Sequence, residues 1–229
     1  MDLFAALCQA NGMTREERVY MASHRSHDVG FLMRRWHEVA REAGMRVDGL
    51  NATSQTAPLA LSNLGKGSDG GVYLSAGIHG DEPAAVQGLL QWAEESIPFL
   101  KNHPVIIFPC LNPWGLTNNV REDEEGRDLN RCFDQRENEL VAWVHHLIEG
   151  YRFRVAACLH EDFDAKGVYL YELARRGEHF GQSLRAATSV RGQPWRAEYQ
   201  LQSSWVPPCG GRGVRGTEGG RVAGAWKET

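Results

Sequence analysis

No apolar run in this 229-residue chain approaches the roughly 18 residues that a membrane-crossing helix needs. The amino terminus, Met1-Asp2-Leu3-Phe4, lacks a basic stretch followed by an apolar core, so it does not read as a secretory signal. Basic excess is missing too. Lys and Arg number 25 against 29 Asp and Glu, for a net charge of −4, which argues against a nucleic-acid partner. The five cysteines, Cys8, Cys110, Cys132, Cys158 and Cys209, contain no Cys-x-x-Cys pair. An odd, scattered set argues against a disulfide framework and for a reducing compartment. Cys110 and Cys158 fall in apolar runs and are expected to be buried thiols. No internal repeat is present. Together these absences describe a cytoplasmic protein with neither nucleic acid nor membrane as a partner.

What remains is an ordinary globular composition, 42% hydrophobic and 24% charged. The length suits one sizeable domain, which buries roughly 70% of its unfolded surface and needs no disulfide staples. Helices are expected over Asp2–Gly12, Val29–Gly44, Glu82 to about Trp92, Gln135–Glu149 and His179–Ser189. Strands are expected over Leu59–Leu64, Gly71–Ile78, Pro104–Leu111, Phe153–Leu159 and Gly167–Leu173. Continuously apolar strands alternating with helices indicate an α/β sheet covered on both faces. Asn112–Phe133 is polar, rich in charge and too long for an ordinary connector, so it reads as a functional loop. After about Trp205 the composition turns Gly- and Arg-rich. Residues 1–205 are therefore expected to form the domain, and 206–229 a disordered or irregular tail that resembles a frame-shifted translation.

Three polar motifs follow strand ends: after Ile78, after Leu111 and after Leu159. Sites of open α/β sheets form at that edge. His79-Gly80-Asp81-Glu82 runs from a strand into a helix, and Gly80 permits the close backbone path that two converging side chains require. His160, after the apolar run Val155–Leu159, offers a third donor from another strand. Two imidazoles and one carboxylate suit a catalytic zinc ion with its fourth position left to water, the set known from carboxypeptidase A. The bland alternative is that both histidines only cap strand ends. His145 and His146, on a helix, and His24 and His27, in a polar turn, are weaker ligand candidates.

The ordered motifs His79-Gly80-Asp81-Glu82-Pro83, Asn112-Pro113-x-Gly115, Asn119-x-Arg121, Gly126-x-Asp128-Leu129-Asn130-Arg131-x-Phe133 and His160 span about residues 70–175. In them the chain resembles the zinc metallocarboxypeptidase superfamily, which includes the succinylglutamate desuccinylase/aspartoacylase branch. The resemblance implies a three-layer α/β/α sandwich around a central mixed, mostly parallel sheet. It implies one Zn2+ held by His79, Glu82 and His160, an oxyanion-stabilising Arg121, and a substrate-carboxylate grip from Asn130 and Arg131. It further implies hydrolysis of an amide next to a free carboxylate. Small peptides cut by a carboxypeptidase come first, and N-acyl amino acids cut by a deacylase second. Arg127 rivals Arg121, and Arg131 could instead pair with Asp128 or Asp134.

The family's general-base glutamate, on a late strand, has no clear counterpart. Glu172, Glu198 and Glu218 are all poorly placed. The expectation is therefore either an unusual base or a C-terminally truncated, weakly active or inactive zinc-binding module, with exposed sheet surface that favours a homo-oligomer.

Overall fold

The computed structural model describes residues 25–50, 57–65 and 69–162. The expected helices Asp2–Gly12 and His179–Ser189, the strand Gly167–Leu173, the three alternative bases and the 206–229 tail lie outside these residues.

The chain opens on α1 (Val29–Ala43), where Asp28 caps the first turn by accepting from the Phe31 amide at 2.8 Å. Gly44 ends the helix in the left-handed conformation at φ 68°. The buried positions Val29, Leu32, Met33, Trp36, Val39, Ala40 and Ala43 form one helical stripe. Then come β1 (Arg46–Gly49), β2 (Leu59–Ser62) and β3 (Asp69–Ser75). Helix α2 (Pro83–Glu95) has Pro83 in its first turn, where its missing N–H costs nothing, and runs into the short α3 (Ile97–Asn102). Strand β4 (Val105–Phe108), the short α4 (Pro113–Asn118), a 3-10 turn over Leu129–Arg131, α5 (Glu139–Ile148) and β5 (Arg152–Cys158) complete the order.

The sheet is mixed, in the order β1-β2-β4-β3-β5. β2 pairs antiparallel with both β1 and β4, while β3 pairs parallel with β4 and β5. Four of the five strands thus share one direction, and β2 alone opposes them. Alternation along the strands divides the core. Leu59, Leu61, Val105 and Ile107 pack with α1 and α2 on one face. Ala60, Tyr73, Ile106 and Phe108 pack with Leu140, Val141, Val144 and Ile148 of α5 on the other. This is the expected three-layer arrangement.

Some differences from the sequence reading have causes visible in the structure. β1 carries the sequence Arg-Val-Asp-Gly with a largely exposed burial pattern, so no apolar signal marks it; pairing with β2 makes it a strand. α4 forms inside the expected loop, because Asn112 caps it by accepting from the Gly115 amide and Asn119 closes it at φ 53°. Cys110 is buried, but Cys158, the last residue of β5, is exposed, contrary to expectation. The Cys158 Sγ accepts a bond from Ser75 Oγ at 3.2 Å. Among the described residues no helix is long and apolar enough to cross a membrane.

Candidate metal centre

The parallel strands end at one level. Ser75 lies opposite both Phe108 and Cys158, so whatever follows those residues emerges side by side. Backbone bonds extend the alignment past the strands: Leu111 N–H to Ala76 O at 3.1 Å, Asn112 N–H to Gly77 O at 2.7 Å, and Leu159 N–H to Ser75 O at 2.8 Å. His79, Asn112 and His160 are thereby gathered at the carboxyl edge of the sheet. Gly77 turns the β3 chain at φ 61°, in a space where a β-carbon would press on Val86 and Cys110.

His79, Glu82 and His160 converge. Each offers one ligand atom, and these atoms lie within 4.8 Å of one another; no other such trio occurs among the described residues. His79 Nδ1 is 2.6 Å from Glu82 Oε1, and His160 Nδ1 is 2.8 Å from Glu82 Oε2. The side chain of His79 is 3% exposed and that of His160 34%, so the cluster opens to solvent on the β5 side. His79 Nε2 faces Asp128 Oδ1 at 3.2 Å. A neutral imidazole has a single N–H, so it can donate to only one of these two carboxylates. Two imidazoles with one carboxylate are a donor set that zinc accepts, and an ion drawn between them would replace the protons on the Nδ1 atoms that face Glu82. The trio fits a single divalent ion.

Charge is balanced on the inner side. Arg121 donates to Asp128 Oδ2 from Nε at 3.2 Å and from Nη2 at 3.1 Å, and its Nη1 lies 3.7 Å from Glu82 Oε1. Burial works against ionisation of Glu82, but hydrogen bonds from His160 and His79, with their charge, prevail and pull its carboxyl down to about 2. Asp128 behaves likewise: burial opposes its charge, yet the bond and charge of Arg121, with His79 adding, hold it below the ordinary carboxylate range.

The remaining expected residues separate clearly. Arg127 is engaged with Asp123 at 2.7 Å and Glu125 at 2.6 Å, in its own turn, whereas Arg121 stands at the cluster. Asn130 lines a small apolar pocket next to His160, with Ile78, Leu111, Phe133 and Leu159. Arg131 is exposed, and no ion pair engages it among the described residues; Asp128, a partner considered for it, is taken by Arg121. His27 Nδ1 lies 2.7 Å from Leu116 O and His145 Nε2 3.1 Å from Phe133 O, so both serve local structure. Asp128 as the partner of His79 was not foreseen. Its only sequence signal is its place two residues before Asn130 in the Asp-Leu-Asn-Arg run.

Residues 68–174 match the family model of the succinylglutamate desuccinylase/aspartoacylase catalytic domain, a hydrolase family. The fold is similar to that of a candidate metallopeptidase from Shewanella denitrificans OS217, with 21% identity, a TM-score of 0.63, and coverage of 77% of this chain and 70% of that one. It is also similar to a metallo-carboxypeptidase from Burkholderia cenocepacia, at 19% identity and TM-score 0.54, covering 74% of this chain and 52% of that one. A metallo-carboxypeptidase from Pseudomonas aeruginosa, in complex with (2-guanidinoethylmercapto)succinic acid, matches at 19% identity and TM-score 0.54, over 72% of this chain and 52% of that one. The chain thus spans about half the length of these two carboxypeptidases. No curated protein sequence matches it at a significant level.

Proposed function

We propose that this chain is a zinc-dependent hydrolase that cleaves an amide bond next to a free carboxylate, and that its first substrates are small peptides losing a C-terminal residue. The observation that carries the reading is the convergence of His79, Glu82 and His160 within 4.8 Å at the carboxyl edge of the sheet. Zinc held by these three residues supplies polarisation of the scissile carbonyl and a water of lowered pKa. Glu82 presents one oxygen toward each histidine, so the three donors already face one another. Asp128 fixes His79 from behind. Arg121, held by Asp128 beside Glu82, brings positive charge to the place where the carbonyl oxygen gains negative charge. Arg131, uncommitted to any ion pair among the described residues, offers a planar fork to the substrate carboxylate, and the Asn130 amide is positioned to help it. The ligand of the Pseudomonas relative is a succinic acid derivative, a dicarboxylate that such a pair suits.

A second reading, deacylation of an N-acyl amino acid, draws support from the matched family model over residues 68–174. Its substrates carry a carboxylate too, so Arg131 serves either case. A third, a zinc-binding module without turnover, follows from the lack of an identifiable base.

Metal content together with hydrolysis of hippuryl-type peptides and N-acyl amino acids separates the three. One zinc per chain with peptide turnover supports the first reading, acyl amino acid turnover the second, and bound metal without turnover the third. His160→Ala is expected to abolish metal binding, since two ligands leave the ion under-coordinated. Full retention of zinc would overturn the ligand assignment.

A further inference from the structure

We infer that Glu161 is a positioning residue for the metal centre, clamping the segment that carries His160 onto the helix end that carries Glu82. The inference rests on the metal-site reading above.

Glu82 occupies the cap position of α2 yet makes no capping bond to its own helix. Its two oxygens are turned onto His79 and His160 instead. A helix that begins this way leaves its first amides without a local acceptor. Pro83 has no N–H to satisfy, so the next amide, that of Ala84, is the one exposed to the deficit. It donates to Glu161 Oε2 at 2.9 Å. The Glu161 amide donates in return to Glu82 Oε2 at 3.2 Å. Two glutamates from separate elements thus exchange roles: Glu82 serves the histidines, and Glu161 caps the helix that Glu82 cannot cap.

The exchange acts on the metal site through one atom. Glu82 Oε2 is also the oxygen that faces His160 Nδ1 at 2.8 Å. His160 is the most exposed of the three donors, two residues past the end of β5. Behind it, the bond from Leu159 N–H to Ser75 O ties the chain to β3; ahead of it, the Glu161 pair ties the chain to α2. Held on both sides, the imidazole keeps its approach to Glu82. A carboxylate at a helix N-terminus is also favoured electrostatically. With Oε2 accepting from the Ala84 amide, the Glu161 side chain acts on the site through the segment it holds.

The test is Zn2+ affinity of the full chain, measured by competition with a chromophoric chelator, for wild type, Glu161→Ala, Glu161→Gln and His160→Ala. Glu161→Ala is expected to weaken zinc binding by about 10- to 100-fold, the usual effect of losing a partner that orients ligands. Glu161→Gln keeps an oxygen for the Ala84 amide and is expected to stay within about threefold of wild type, given that a neutral acceptor still makes the bond. Metal-free Glu161→Ala should retain its far-ultraviolet circular dichroism. Wild-type affinity in Glu161→Ala would overturn the inference while leaving the ligand trio intact. A loss of about 10-fold or more in Glu161→Gln relative to wild type would assign the effect to charge and overturn it as well, and that comparison holds even if Glu161→Ala fails to fold. Unchanged zinc binding in His160→Ala would instead overturn the metal-site reading itself.

Discussion

Gly80 and Gly115 meet backbone against backbone: a β-carbon built on Gly80 would overlap the carbonyl carbon of Gly115. The turn between His79 and Glu82 therefore rests directly on α4. Asn112, 3% exposed, holds α4 in place by capping the Gly115 amide and by donating to Glu122 O at 2.9 Å, next to Arg121. Contact between two main chains has no flexible side chain that can yield.

Gly80→Ala is accordingly expected to destabilise the protein by about 2 kcal/mol or more, in the range of overpacked cores, and to lower zinc occupancy in parallel. Gly88→Ala is the control. Gly88 lies exposed within α2, and its β-carbon would meet nothing within 4 Å. It should gain about 0.5–1 kcal/mol from helix propensity. Thermal denaturation of both variants checks the pair; a neutral Gly80→Ala would show that the two chains can separate.

Arg121→Ala should lower kcat by about 10²–10³, corresponding to loss of one oxyanion-stabilising group, while Arg127→Ala should change kcat little. Arg127 spends its charge on Asp123 and Glu125. Steady-state kinetics on whichever substrate class turns over decides between them, and a reversed order would exchange their roles.

Arg131→Ala should weaken substrates with a free carboxylate far more than their amidated counterparts, because a guanidinium bonds a carboxylate through two parallel hydrogen bonds that an amide cannot accept. Comparing kcat/KM for matched acid and amide pairs tests this. Equal losses for both would mark Arg131 as structural.

The pH dependence of the metal-free protein follows from Glu82. Its carboxyl falls from 4.5 to about 2 in the folded state. The unfolded chain thus takes up the proton first as pH drops. The stabilisation is complete above about pH 4.5 and is lost progressively as pH falls through about 2. Urea denaturation in the presence of a chelator should show wild type losing up to about 3 kcal/mol more than Glu82→Gln across that window. Parallel pH profiles for the two proteins would refute the coupling between Glu82 and its histidines.

Much of the architecture is written locally. The stripe on α1, the apolar β2 and β4, and the Pro83 start of α2 are short-range patterns, and each falls within a few residues of its expected place. The expected Gly71–Ile78 strand ends early, at Ser75, because the left-handed Gly77 turns the chain toward the site. The convergence of His79, Glu82 and His160 is legible for the same reason. His79 and Glu82 flank one turn, and His160 follows one apolar run, so strand ends alone bring them near.

Other features have no local signature. Arg121 and Arg127 are the same residue type in the same polar stretch, and only the fold of that stretch places one beside Glu82 and the other beside Asp123. β1 becomes a strand only through its partner, and Asp128 becomes the support of His79 only because a 3-10 turn lifts it there. The sequence by itself determined which residues can bind a metal and which elements carry them, since periodicity, caps and turn chemistry act over a few residues. Tertiary structure decided which charges pair, which backbones touch and which glutamate caps α2, since those outcomes depend on distances between segments far apart in the chain, 79 residues in the case of Glu82 and Glu161.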